Sequence, residues 1–204
     1  RVLCASIDLD IIAVAAPADD GFIRIESVGF APDSVEISKP ESYRNGEQHS
    51  AQLVAGTADG LRRRGYRIGA LKAVTTSNVL KGSGLSSSAA FEDMCVNLQN
   101  YMYNGGAVGY IEMGQISQYA ENEFFGKPCG LMDQIACAAG GFVAIDFADP
   151  ADPKVERLTL DLAARGARLA ARRARHRRGV PAVRRHIRPV FPAEAVGSRP
   201  PGED

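Results

Sequence analysis

The sequence predicts a fold that mixes strands with helices, and three observations predict it. Apolar strand patterns separated by turns open the chain, an apolar stripe at helical spacing follows from about residue 48, and a Gly/Ser-rich loop later joins a strand directly to another helix.

Val2 to Ala16 alternates and then runs apolar through Leu3, Ala5, Ile7, Leu9, Ile11, Ile12 and Val14, which reads as one buried strand. Asp19-Asp20-Gly21 makes a turn, and Phe22, Ile23, Ile25, Val28 and Phe30 mark a second strand. Pro32-Asp33-Ser34 turns into a short third strand at Val35 to Ile37, so the three read as an antiparallel meander. Leu53, Val54, Thr57, Ala58 and Leu61 then follow helical spacing. Arg62-Arg63-Arg64 complements the dipole at that helix's end, and Gly65 stops it. Gly69 to Ser77 is another strand. Phe91, Met94, Cys95, Leu98, Tyr101 and Met102 form a helical stripe that ends at Asn104-Gly105-Gly106. A further helix carries Met113, Ile116, Ala120 and Phe124, and two strands follow at Phe142 to Phe147 and Val155 to Leu160.

The length of 204 residues suits one large domain, and 45% apolar with 24% charged residues is a globular composition. No apolar run approaches the roughly 20 residues of a membrane span. The formal net charge of zero hides an asymmetry. Residues 1–164 hold 13 basic and 21 acidic groups, whereas residues 165–204 hold 11 Arg, no Lys and 3 acidic groups. The Arg- and Pro-rich tail from 163 to 204 has no periodicity and reads as disordered or as a coding region out of frame. It lacks the interleaved aromatics that stack on bases, which argues against a nucleic-acid partner. Cys4, Cys95, Cys129 and Cys137 form no CxxC pair, and the only histidines are His49, His176 and His186, which disfavours a zinc site. Scattered single thiols fit a reducing cytoplasm, as small buried apolar groups.

Asn78 to Ala90 carries the chemistry. Glycines let a backbone approach an anion closely, and the N–H groups and dipole at a helix start face it. The loop has no Lys after its last Gly, as a Walker motif requires, and Ser87 stands where a dinucleotide fingerprint needs a third Gly. What remains is Gly82-Ser83-Gly84-Leu85-Ser86-Ser87-Ser88-Ala89-Ala90. Three serines behind two glycines exceed what a helix cap needs, and they point to phosphate binding. Phosphoryl transfer also requires a metal ligand and a group that orients or deprotonates the acceptor hydroxyl. Ser88 with a glutamate of the following helix could hold Mg²⁺, which takes oxygen ligands. Asp133 lies between a Gly-containing turn and an apolar run, as a helix cap or as a base facing a cleft.

At these residues the chain resembles a known family. Val79 to Ala90 is similar to the second motif of the GHMP small-molecule kinases, and Ala120-Glu121-Asn122-Glu123-Phe124-Phe125-Gly126-Lys127-Pro128-Cys129-Gly130-Leu131-Met132-Asp133-Gln134 resembles their galactokinase branch. The opening, Arg1 to Asp8, resembles the stretch just after that family's first motif. The resemblance covers about residues 1–162. It implies an α+β fold with an N-terminal domain of the ribosomal protein S5 domain 2 type, and a truncated ferredoxin-like C-terminal part. It implies that Gly82, Ser83, Gly84, Leu85, Ser86, Ser87 and Ser88 wrap the phosphates of ATP, that Ser88 and Glu121 bind Mg²⁺, and that Gly130 contacts the sugar through its backbone. Asp133 would sit beside the C1 hydroxyl of galactose as base or electrostatic orienter. The implied reaction is transfer of the γ-phosphoryl of ATP to that hydroxyl, giving galactose 1-phosphate and ADP in the cytoplasm.

The family's first motif, Gly-Arg-x-Glu-His-x-Asp, belongs ahead of Arg1, and its third, Gly-rich motif belongs beyond residue 164, where the Arg-rich tail shows nothing like it. The expectation is a piece of a longer kinase with a frame-shifted 3′ part, inactive by itself. Another sugar-1-kinase, acting on N-acetylgalactosamine or arabinose, and a non-catalytic sugar- and ATP-binding sensor are the alternative readings.

Overall fold

A computed structural model describes residues 1–44, 49–80, 82 and 84–159. The expected tail at 163–204 and Ser83 lie outside the described residues. Residues 1–160 form one compact unit.

Strands and helices do mix as an α+β arrangement. The element order is β1 (Val2–Ala5), β2 (Ile11–Pro17), β3 (Phe22–Ser27), β4 (Asp33–Glu36), α1 (Ser50–Arg63), β5 (Leu71–Ser77), α2 (Ser87–Tyr103), α3 (Tyr110–Tyr119), α4 (Met132–Ala139), β6 (Phe142–Asp146) and β7 (Lys154–Leu158). A single 3₁₀ turn spans Pro40–Tyr43, and a π-helical turn, Ala120–Phe124, extends α3.

Two expectations need correction. Val2 to Ala16 is not one strand: β1 and β2 lie in different sheets, ordered β1-β6-β7 and β2-β5-β3-β4. The apolar residues at odd positions run unbroken across both, which hides a change of phase. In β1 the even positions Val2 and Cys4 turn inward and Leu3 is exposed, while in β2 the odd positions Ile11, Ala13 and Ala15 turn inward. At the break, Ser6 N–H donates to Gly141 O at 2.9 Å and Asn78 N–H to Asp10 O at 3.0 Å, anchoring the crossing chain. The meander is also wrong, because β5 inserts between β2 and β3, antiparallel to the first and parallel to the second. Alternation reports which face of a strand is buried, not which strand lies beside it.

The helices follow the sequence closely. α1 starts with a capping box between His49 and Gln52 and ends at Gly65, whose φ of +82° needs no Cβ-bearing residue. Its inner face packs with α2 on the four-stranded sheet, around Ile23, Ile25, Val54, Leu71 and Phe124. Leu61, Val96, Met113 and Ile116 fill the space where α1, α2 and α3 meet. Ile135, Val143 and Ile145 pack α4 under the three-stranded sheet. The expectation that all four thiols are buried holds for Cys95 alone; Cys4 and Cys129 are half-buried and Cys137 is exposed. Among the described residues, no helix is long and apolar enough to cross a membrane.

Candidate active site

β5 runs into the Gly/Ser loop, and the loop into the N-terminus of α2. Gly82 and Gly84 hold φ values of +75° and +73°, in the left-handed region open to glycine. Ser86 is the only described non-glycine residue with a positive φ, at +59°. It precedes α2, yet its side chain caps nothing there. Ser86 Oγ instead donates to Asp133 Oδ2 at 2.5 Å, across 47 residues of sequence. A strained backbone on such a bond places the strain at the junction of loop and carboxylate. The Ser86 hydroxyl therefore serves Asp133 and not the helix start.

Asp133 stands in the first turn of α4, whose N-cap residue is Leu131. The turn that delivers it is laced to α3: Gln118 Nε2 donates to Cys129 O at 3.1 Å, and Cys129 N–H to Asn122 Oδ1 at 2.7 Å. The π-helical turn rotates Glu121 inward, where it is 2% exposed. Lys127 Nζ lies 2.8 Å from Glu121 Oε1, and Gln134 Nε2 donates to Oε2 at 3.2 Å. The Glu121 carboxylate in turn raises the Lys127 ammonium above its ordinary value.

Gly82, Gly84, Ser86, Ser87, Ser88, Glu121, Gly130 and Asp133 all line one cleft of about 410 Å³. Of the sequence-derived site residues, Leu85 alone among those described stands outside it, facing a neighbouring groove. Lys127, which the sequence did not separate from solvated surface, lines the cleft as well, and so does Gln134. A signal for Lys127 did exist: Glu121 lies on the buried face of its helix with Ser117 and Phe124, a buried carboxylate requires a cation, and Lys127 is the nearest one downstream. Glu123, the other acidic residue of the segment, turns away to Arg44 at 3.6 Å. A second cavity of about 320 Å³ opens on the far side of Ser87 and Ser88, with Phe30, Phe91 and Phe125 in its walls. In it Ser50 Oγ donates to the buried Asp33 carboxylate at 2.8 Å.

Two further acids lie under the loop on α2. Glu92 is wholly buried, and burial followed by the charge of Glu121 pushes its carboxyl up to about 9. Glu92 Oε1 and Oε2 and the neighbouring Gln134 Oε1 are buried without a hydrogen-bond partner. Asp93 is 4% exposed, and burial pushes it up to about 8 although Ser117 Oγ donates to Oδ1 at 2.7 Å. A carboxyl raised on folding stabilises fully below its unfolded pKa, and that stability is lost as pH climbs through the folded value. Thermal melts at fixed ionic strength are therefore expected to show the midpoint falling between pH 5 and pH 8. Asp93→Asn removes its share of that slope, about 1.4 kcal/mol per pH unit. A slope unchanged by the substitution contradicts the assignment.

Among the described residues, no group of three or more His, Cys, Asp or Glu side chains could hold a metal ion. A hydroxyl, Ser88, and a carboxylate, Glu121, do line the same cleft. An oxygen-only pair of this kind suits Mg²⁺, which keeps waters and shares substrate phosphates rather than sitting in a protein cage.

Residues 52–141 match the family described as the GHMP kinases N terminal domain. The chain is 32% identical over 161 residues to the galactokinase of Streptomyces coelicolor, covering 78% of this chain and 41% of that one. It is 39% identical over 107 residues to the galactokinase of Thermococcus kodakarensis, covering 52% of this chain and 29% of that one. Its fold is similar to the crystal structure of Lactococcus lactis galactokinase complexed with galactose, with a TM-score of 0.66 at 22% identity over 78% of this chain and 42% of that one. The chain thus spans less than half the length of the curated relatives it matches. The Gly/Ser loop, the π-helical turn and the Asp133 turn meet at one cleft, and the stretch that holds most of them, residues 52–141, is similar to the GHMP kinases N terminal domain.

Proposed function

We propose that this chain is the ATP-binding part of a galactokinase, which transfers the γ-phosphoryl of ATP to the C1 hydroxyl of galactose and yields galactose 1-phosphate and ADP. The observation that carries the reading is the Ser86–Asp133 hydrogen bond, which ties a phosphate-type loop to a carboxylate in a shared cleft.

Each residue has a role that its position supports. The N–H groups of Gly82, Gly84 and Ser86 to Ser88 at the start of α2 face the phosphates, and the aromatic cavity behind Ser87 and Ser88 receives the base. Ser88 and Glu121 would hold Mg²⁺, which neutralises phosphate charge when bound. Lys127 adds a second positive charge at the same wall. Asp133 accepts the hydrogen of the sugar hydroxyl or orients it, and Gly130 lets the sugar approach the backbone. The reaction asks for positioning and charge neutralisation, not for a covalent intermediate. A cytoplasmic setting and a small-molecule sugar as partner belong to the same proposal, which the four free thiols support.

The test is a chimera in which residues 1–159 replace the stretch of the Streptomyces coelicolor galactokinase with which they align. Galactose 1-phosphate formed from galactose and ATP is the expected result, with N-acetylgalactosamine and arabinose turned over more slowly. A folded chimera that prefers one of those sugars moves the assignment to another sugar-1-kinase. One that binds galactose and ATP without turnover supports the sensor.

A further inference from the structure

Lys127 is tied to Glu121 twice. Its N–H donates to Glu121 O at 3.1 Å, and its Nζ lies 2.8 Å from Glu121 Oε1. Gly126, with a φ of +73°, turns the chain back just ahead of it, so both contacts come from one residue. Among the described residues this is the one ion pair that either side chain makes. The partners differ in freedom. Glu121 is 2% exposed, set by the π-helical turn, and its Oε2 is held by Gln134 Nε2 at 3.2 Å. The Lys127 side chain is 58% exposed, a compact charge with three donors on a flexible four-carbon stem. The carboxylate is fixed and the ammonium is the part that can move.

This arrangement has a consequence for any cation drawn to Glu121. A buried carboxylate is costly unless it is paired, and Lys127 meets that cost from within the chain. A divalent cation at the same carboxylate meets the ammonium already placed on Oε1. Like charges a few ångströms apart repel, and more strongly beside protein than in open water. The ammonium then needs another anion. The cleft that Lys127 lines is also lined by Gly82, Gly84 and Ser86 to Ser88, the loop and helix start suited to phosphates. Phosphate oxygens held there are acceptors for a displaced ammonium.

We propose that Lys127 is an exchangeable counterion: its ammonium competes with a divalent cation for Glu121 and, once displaced, bonds to the phosphates of the nucleotide. The cation by itself is opposed, whereas the cation together with phosphates is favoured. Lys127 thereby couples the two, so that Glu121 takes a cation chiefly in company with a nucleotide. The inference rests on the proposed roles of Glu121 toward the metal and of the loop toward phosphates. It adds the residue that makes them bind together.

The experiment titrates the full chain with Mn²⁺ alone, read by electron paramagnetic resonance, and with ADP at saturating Mn²⁺, read by calorimetry. Lys127→Met is expected to shift the two affinities in opposite directions, tightening Mn²⁺ and weakening ADP by roughly tenfold each. Lys127→Arg keeps the charge and should hold both near the parent values. A merely structural role for Lys127 would weaken both together. Circular dichroism checks the fold, and if Lys127→Met melts too low to titrate, Lys127→Gln keeps a donor for Oε1 and reads the same two affinities. Three results overturn the inference: Mn²⁺ affinity that does not rise in the neutral variants, ADP affinity that does not fall, or a Mn²⁺ gain that survives the further change Glu121→Gln. Glu121→Gln in the parent separates this failure from that of the underlying reading. If it weakens binding of ADP with Mn²⁺ while the Lys127 variants show no opposed shifts, the inference alone falls. If it leaves that binding unchanged, or the parent binds no ADP with Mn²⁺, the metal role of Glu121 falls and takes the inference with it.

Discussion

Replacing Asp133 by Ala in the active chimera is expected to slow transfer to galactose by about 10²- to 10⁴-fold while leaving nucleotide affinity nearly unchanged. The asymmetry follows from position. Asp133 sits at the start of α4 and meets the loop through Ser86 Oγ, so on the proposed reading its loss removes the acceptor-side group and leaves the phosphate-side N–H groups in place. Ser86→Ala is the informative companion. It keeps the carboxylate but frees it to turn, and an intermediate loss of roughly tenfold in kcat is expected. Steady-state kinetics on the two variants separate the roles. If Asp133→Ala turns over undiminished, Asp133 is not the acceptor-side group. If nucleotide affinity collapses with it, the residue supports the loop rather than the chemistry.

The largest stability effect outside the cleft is expected at Gly56, in the middle of α1. A Cβ there would lie 2.7 Å from both Cα and Cβ of Ala120 and 3.1 Å from Cγ of Phe124. Two effects oppose each other in Gly56→Ala. Alanine gains up to about 1 kcal/mol in helix propensity. Overpacking costs about 1–3 kcal/mol, and here the obstruction includes backbone, which cannot swing aside as a side chain can. The clash wins by up to about 2 kcal/mol, and a fall in melting midpoint of up to roughly 8 °C is expected. Gly60→Ala is the control, because its new Cβ would meet only side-chain atoms, Ile116 Cγ2 at 3.0 Å and Tyr119 Cδ1 at 3.2 Å, and should cost less. The Gly56 contact is with the residue just before Glu121, so the substitution should also weaken nucleotide binding in proportion to its effect on folding. A midpoint that rises in Gly56→Ala contradicts the packing of α1 on the π-helical turn.

The close approach at Gly56 illustrates what was invisible in the linear order. Helical spacing around Leu53, Ala58 and Leu61 identified α1 and its buried face, because apolar periodicity is a local property of the chain. Nothing local says that residue 56 must pass beside residue 120. The same limit explains the lost meander. The strand patterns were legible, but β5 entered between β2 and β3 because all seven of its residues pair with β2 and five of them with β3, a matter of long-range register.

By itself the sequence determined most of the strands and helices, the Gly/Ser loop at the start of α2, the acidic turn at Asp133 and the likeness to the GHMP kinases that they carry. Those features are carried by residue type and short spacing: glycines for positive φ, hydroxyls at a helix start, apolar residues at a period of about 3.6. Only the tertiary structure decided that Ser86 turns from the helix to Asp133, that Lys127 and not Glu123 faces the cleft, and that Glu92 and Asp93 are buried and raised. The physical reason is common to all of these. Burial, pairing and the cost of an unpartnered charge depend on which distant segments come together, and that is settled by packing, not by neighbours in the chain.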